Sequence, residues 1–298
     1  MISTPEELKA RKPERDFLIC IDSDGCAFDT MELKHKECFI PNIIKYWGLQ
    51  AVSKYAREAA EFVNLYSKHR GVNRFPALIL TFDLLLAWDK VAARNVSIPE
   101  AANLRRWIKE ETKLGNPVLA QYCANHPDEA DMQRALLWSK AINHTVEEIV
   151  GGGVPPFPLV KESLVKATPH ADMMVCSQTP TAALTQEWTE QGIAQHVFAI
   201  AGQEWGTKGE HIKLASEGRY PAERILMIGD APGDRKAANA NNACFFPINP
   251  GDEDASWQRF HDEGLDRFLC GNFLGEYQEK LNAEFDRYLP ENPPWKSV

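Results

Sequence analysis

Two aspartates one residue apart, Asp22 and Asp24, close the short apolar run FLICI as D-S-D-G. Further along, Ser177 follows MMVC, Lys208 lies in GTKGEH, and Asp230 and Asp234 form G-D-A-P-G-D after ILMI. An Asp-x-Asp-Gly is common wherever a strand enters a turn, so the first pair carries little by itself. The ordered set says more. Four carboxylates gathered in one place repel one another unless a hard cation holds them, and oxygen-only donors select magnesium over zinc. Magnesium accepts few protein ligands and keeps waters and a phosphate oxygen, so a serine and a lysine beside it make a candidate phosphoryl site. Ser177, with Gln178 and the N–H groups opening the next helix, would hold phosphate oxygens. Lys208 would neutralise the transferring group. A lysine in the first turn of a helix opposes the helix dipole, and such broken local rules often mark functional sites.

The elements that position these residues can be read from periodicity. Apolar runs at 17–21, 173–176, 197–201, 225–228 and 244–246 read as strands, separated by helix-like segments. Strand and helix in alternation imply a parallel sheet covered by helices on both faces, an α/β fold of Rossmann-like type. In such sheets ligands bind beyond the carboxyl ends of the strands, where the polar residues above fall. Thr179 and Pro180 read as an N-cap and first-turn proline of a helix reaching Gly192. Further helices run from Lys208 to near Gly218 and across Arg235 to Asn241. From Thr30 to Gly153 the spacing is helical throughout, which marks an all-helical insert after the first strand. It ends in GGGVPPFP, read as a hinge and not a phosphate cradle, because no Gly-Lys-Ser/Thr follows. The expected domains are therefore 1–29 with 154–298, and 30–153. Phe273, Tyr277, Leu281 and Phe285 form an apolar stripe on a terminal helix, and PENPPWKSV reads as a loose tail.

A net charge of −9 argues against nucleic acid or an anionic membrane surface as partner. The polar start of the chain and the lack of a membrane-length apolar run lead to an expected cytoplasmic location. Seven cysteines without a C-x-x-C pair fit reduced, buried thiols.

The stretch DSDGCAFDT is similar to D-x-D-G-x-x-x-D-[ST] of the haloacid dehalogenase-like hydrolase superfamily, in particular its members with a helical cap after the first motif. Ser177 resembles the second-motif Ser/Thr, Lys208 the third-motif lysine and GDAPGD the fourth motif. The resemblance implies that Asp22 is the nucleophile, forming an aspartyl-phosphate, while Asp24 protonates the leaving oxygen and then activates water. It also implies magnesium bound by Asp22, the backbone carbonyl of Asp24 and Asp230, with Asp234 bonding directly or through water. The aspartate at 24 favours phosphate esters over the dehalogenases, which carry tyrosine there, and over phosphonate-cleaving members, which carry alanine. A magnesium-dependent phosphatase acting on a small phosphorylated metabolite is thus expected. A phosphomutase is the alternative within the family. A receiver-type signalling module or a non-catalytic scaffold would lack phosphate release.

Within the insert, the loop KHRGVNR places Arg70, Asn73 and Arg74 between helices. These residues are candidates for gripping the anionic or hydroxyl-bearing end of a substrate, against the plainer reading of a solvated turn. The stretch from Leu78 to Trp88 reads as core of the insert, Cys26 and Cys176 as packing residues, and His170, His196 and His211 as ordinary surface or helix-end residues.

Overall fold

Alternation along FLICI sends Leu18 and Cys20 to one face of a strand and Ile19 and Ile21 to the other, and each face is buried in its own apolar cluster. The same alternation recurs in Met174 and Cys176 against Met173 and Val175, and in Met227 against Leu226 and Ile228. Strands apolar on both faces are those of a parallel sheet covered on both sides. The computed structural model, which describes residues 1–150 and 153–296, has that sheet. Its strands are β1 (Phe17–Ile21), β2 (Ala171–Cys176), β3 (Ala199–Ala201), β4 (Ile225–Gly229) and β5 (Cys244–Pro247). All neighbours are parallel, in the order β3-β2-β1-β4-β5. The order reverses at β1, so the crevice favoured for ligands opens between the carboxyl ends of β1 and β4.

Three helices of this unit bear on the site, α1 (Thr181–Glu190), α2 (Lys208–Ser216) and α3 (Pro232–Ala240), and a fourth, α4 (Glu276–Tyr288), packs against β5. Pro180 is the N-cap residue of α1, one place later than the sequence suggests. Thr179 is thereby released from capping. Helix α2 opens with a capping box in which Thr207 and Glu210 satisfy each other's backbone N–H groups. On α4, Leu281 and Phe285 are buried as the stripe predicts, whereas Phe273 precedes the helix.

The chain divides into two units, Met1–Met31 with Gly153–Leu289, and Glu32–Gly152 with Pro290–Val298. The described residues of the second unit contain helices and no strand, the longest being Ser53–Leu65, Arg74–Leu86 and Ala130–Val150. Its core is aromatic: Phe75 meets Trp107 and Trp138 edge-on at 5.3 and 6.0 Å. Leu78, Phe82, Leu85 and Trp88 are buried, as expected of core. Gly151 and Gly152 of the expected hinge lie outside the described residues. No helix of the described residues is long and apolar enough to cross a membrane.

The tail differs from expectation. From Pro290 the chain leaves the sheet-bearing unit and packs in the helical one. The Trp295 ring stacks on Trp88 at 4.1 Å with 3° between planes, and meets Phe62 edge-on at 5.8 Å. The Lys68 N–H donates to the Pro290 carbonyl at 3.3 Å and its ammonium pairs with Glu291. A lone tryptophan among prolines reads as tail only because its partner lies far away in sequence. Trp295→Ala is expected to destabilise the helical unit by about 1.5–3 kcal/mol, through lost stacking and partial burial. Urea unfolding followed by circular dichroism would check this, and an unchanged midpoint would contradict it.

Candidate active site

The ladder aligns Ile21 with Val175 on one side and with Ile228 on the other, so β1, β2 and β4 end level. Asp22 is the first residue beyond β1, and its N–H donates to the Ile228 carbonyl at 3.0 Å. The chain then turns sharply: Gly25 has φ +75°, and its N–H donates to the Phe28 carbonyl at 2.8 Å. Glycine occupies that conformation without a Cβ penalty.

Asp22, Asp230 and Asp234 are buried, and each offers a carboxylate oxygen within 4.8 Å of the others. Lys208, the first residue of α2, reaches Asp22 Oδ2 at 2.6 Å and Asp234 Oδ1 at 2.5 Å through Nζ. The second oxygen of Asp22 accepts the Ser23 N–H at 2.8 Å. The second oxygen of Asp234 accepts the Ala231 N–H at 3.0 Å and so caps α3 from within. The unfavourable start of α2 on a lysine is thus offset by two charge-assisted contacts. Gly229 permits the crowding, since a Cβ there would fall 2.4 Å from the Cβ and Cγ of Asp234.

Burial pushes the Asp22 carboxyl well above its ordinary range, Lys208 pulls it down, and Asp234 and Asp230 add to the rise. Burial likewise raises Asp234, with Lys208 opposing and Asp230 adding. Burial alone would lower Lys208, but Asp22, Asp234 and Asp230 together hold it above its usual value. With all three carboxylates ionised, these four groups carry three negative charges against one positive. Such a buried excess is costly without a compensating cation. Three hard oxygen donors, two at strand ends and one in the first turn of α3, fit a magnesium-sized ion.

Asp24 is placed differently from the convergence of four carboxylates that the sequence suggests. Its side chain is outside the buried trio because two hydroxyls hold it: Thr179 Oγ1 donates to Oδ2 at 2.7 Å, and the Thr30 hydroxyl bonds Oδ1. Ser177 is buried after β2, and its N–H donates to the Ala201 carbonyl at 3.0 Å. Its oxygen accepts the Thr179 N–H at 3.2 Å, which leaves the serine proton to donate elsewhere. The first N–H of α1, on Thr181, is already taken by the Glu204 carboxylate at 3.0 Å. This helix start therefore offers an anion less than the sequence suggests. Gln178 donates through Nε2 to the Ser177 and Gly206 carbonyls, tying the loops after β2 and β3 together.

The three candidate residues of the helical unit have structural tasks. Arg74 is partly buried and donates to the Ser139 carbonyl and hydroxyl at 3.1 and 3.0 Å and to Asn143 Oδ1 at 2.7 Å. Arg70 is buried and donates to the Leu65 carbonyl at 2.9 Å. Asn73 caps the helix Arg74–Leu86 by accepting the Phe75 N–H, and donates to the Leu114 carbonyl. A cation-rich loop looks alike in sequence whether its charges face water or brace helices. Thr179 and Thr30 are the residues that sequence reading missed as partners of Asp24; Thr30 closes the DSDGCAFDT motif, whereas Thr179 reads as a helix cap. Cys26 and Cys176 are fully buried, and burial raises both thiols far from reactivity. His211 is fully buried and not on the surface.

No protein-family model and no curated protein matches the chain. Solved structures align with it at low identity. A putative phosphoglycolate phosphatase from Lactobacillus delbrueckii subsp. bulgaricus has 13% identity and a TM-score of 0.48, covering 86% of this chain and 98% of its own. A haloacid dehalogenase-like family hydrolase from Streptococcus pneumoniae has 12% identity and a TM-score of 0.48, covering 83% and 91%. A HAD-hydrolase from Bacillus subtilis, solved bound to magnesium, has 13% identity and a TM-score of 0.44, covering 80% and 89%.

Two outcomes follow from the buried trio. Unfolded aspartates release their protons near 3.8, whereas native Asp22 and Asp234 hold theirs to higher pH. The native state then binds more protons, so with divalent metal chelated, stability should fall as pH rises from the ordinary aspartate value of 3.8 through the raised native values. Added magnesium should raise the melting temperature more at the upper end of that range; an equal shift at both ends would contradict it. Gly229→Ala should cost about 1–3 kcal/mol by forcing Asp234 aside, and calorimetry with and without magnesium should find the metal's stabilisation largely lost.

Proposed function

We propose that the chain is a magnesium-dependent phosphatase that cleaves the ester of a small phosphorylated metabolite through an aspartyl-phosphate. The observation that carries this reading is the grip on Asp22, whose two carboxylate oxygens are held by Lys208 at 2.6 Å and by the Ser23 N–H at 2.8 Å. A nucleophile fixed in one plane beside a buried ammonium suits in-line attack on phosphorus and little else that an aspartate does.

Asp22, Asp230 and Asp234 would hold the ion, which when bound supplies positive charge against the phosphoryl oxygens. The chain's own residues do the remainder. Asp22 attacks phosphorus, and the bond to the ester oxygen breaks as Asp24 delivers a proton to it. Asp24 then takes a proton from water, which attacks the aspartyl-phosphate and frees inorganic phosphate. The hydroxyls of Thr30 and Thr179 would have to release Asp24 for these transfers. Ser177 donates its free proton to a phosphoryl oxygen, and Lys208 offsets the charge that grows on the transferring group. A mutase would follow the same first step and return the phosphoryl group to a bound sugar. The two are separated by whether phosphate leaves the protein and whether a bisphosphate is required.

The test is phosphate release from a panel of phosphometabolites with and without magnesium. Wild type should turn over at least one ester, chelation should abolish it, and Asp22→Asn should lower kcat by about a thousandfold or more. Asp24→Ala should lower kcat by about a hundredfold or more, least for esters with good leaving groups. Normal turnover by Asp22→Asn would sink the reading.

A further inference from the structure

Ser23 lies between the two aspartates of the first motif and is fully buried. All of its polar groups are engaged. Its N–H donates to Asp22 Oδ1 at 2.8 Å, and its carbonyl accepts the N–H groups of Cys26, Ala27 and Phe28 at 3.3, 2.9 and 3.1 Å. Its hydroxyl accepts the indole N–H of Trp188 at 2.9 Å and donates to Glu187 Oε2 at 3.2 Å. Trp188 is also fully buried and packs edge-on against Phe28 at 5.8 Å. Small size and backbone bonding alone would be met by alanine. The hydroxyl adds something else, a tie from the nucleophile's own loop to the middle of α1.

The terminal torsion of an aspartate is broad, so a carboxylate held at one oxygen by a lysine can still rotate. The second bond, from the Ser23 N–H, fixes its plane, and the direction of that N–H follows the peptide joining residues 22 and 23. We propose that Ser23 is a positioning residue whose hydroxyl, anchored to Glu187 and Trp188 of α1, holds that peptide so that its N–H aims the Asp22 carboxylate. The inference rests on the reading of Asp22 as nucleophile and metal ligand. Helix α1 then grips the loop at two places, through Ser23 and, just before its first turn, through Thr179 on Asp24. Nucleophile and proton donor are thereby registered to one element.

The test uses Ser23→Ala, which removes both bonds of the hydroxyl, and Trp188→Phe, which removes the one they share, together with the double variant. For each, kcat and KM are measured on the best ester, and magnesium affinity is measured calorimetrically on metal-free protein. Misaiming a reacting group by a fraction of an ångström to one ångström lowers turnover by about tenfold to about a hundredfold. Each single variant should show such a fall in kcat with KM within about twofold, and magnesium bound more weakly. The double variant should be no worse than the worse single one, because both break one tie. A folded Ser23→Ala protein with wild-type kcat and magnesium affinity would overturn the inference and leave the hydrolase reading intact. A wild type that cleaves no ester, yet loses magnesium affinity on Ser23→Ala, would overturn the hydrolase reading alone. A wild type that neither cleaves nor binds magnesium overturns both.

Discussion

Three carboxylates packed beyond the ends of β1 and β4 set the terms for everything around them. Buried like charge is unfavourable, and the fold answers it with one ammonium, that of Lys208, bonded to two of the three. Placing a lysine at the first position of a helix opposes the helix dipole, so the capping box of Thr207 and Glu210 has to secure that helix start. Close approach of Asp234 to β4 requires a residue without a Cβ at position 229. The level ending of the central strands, the short turn at Gly25 and the buried cap on α3 all serve to keep the groups at fixed separations.

Asp24, the proposed proton carrier, is kept out of this crowd. Asp24 is only two residues from Asp22, but just before the turn at Gly25 its side chain is held by two hydroxyls. That separation lets neighbouring residues of one type have different surroundings: one buried against like charge and an ammonium, the other hydrogen-bonded by neutral donors. Environment, and not residue type, is what distinguishes the two carboxylates.

The sequence was most informative where chemistry and secondary structure coincide. Asp22, Ser177 and Asp230 each stop an apolar run, and an apolar run that ends in a polar residue is visible in one dimension. Lys208 was legible through its misfit with the helix it begins. The rest depends on partners distant along the chain. Arg74 looks like a free cation until Ser139 and Asn143 are brought to it. Thr179 followed by proline is indistinguishable from a helix cap until Asp24 accepts its hydroxyl. The serine between the aspartates carries no signal of its own, because its meaning lies with Glu187 and Trp188. Periodicity finds elements, while side-chain pairing across them is set by packing that no local window contains.

The stacking of Trp295 on Trp88 bears on the order in which the protein is made. The helices of 32–150 leave the ribosome before β2 to β5 exist, but Phe62 and Trp88 gain the ring that each packs against only when position 295 emerges. At translation speeds of about 5–20 residues per second, that interval is roughly 10–40 s. The first-synthesised helices must therefore wait, with one apolar face incomplete, until nearly the whole sheet-bearing unit has been threaded. Completion of the helical unit thus reports that the chain has been read almost to its last described residue.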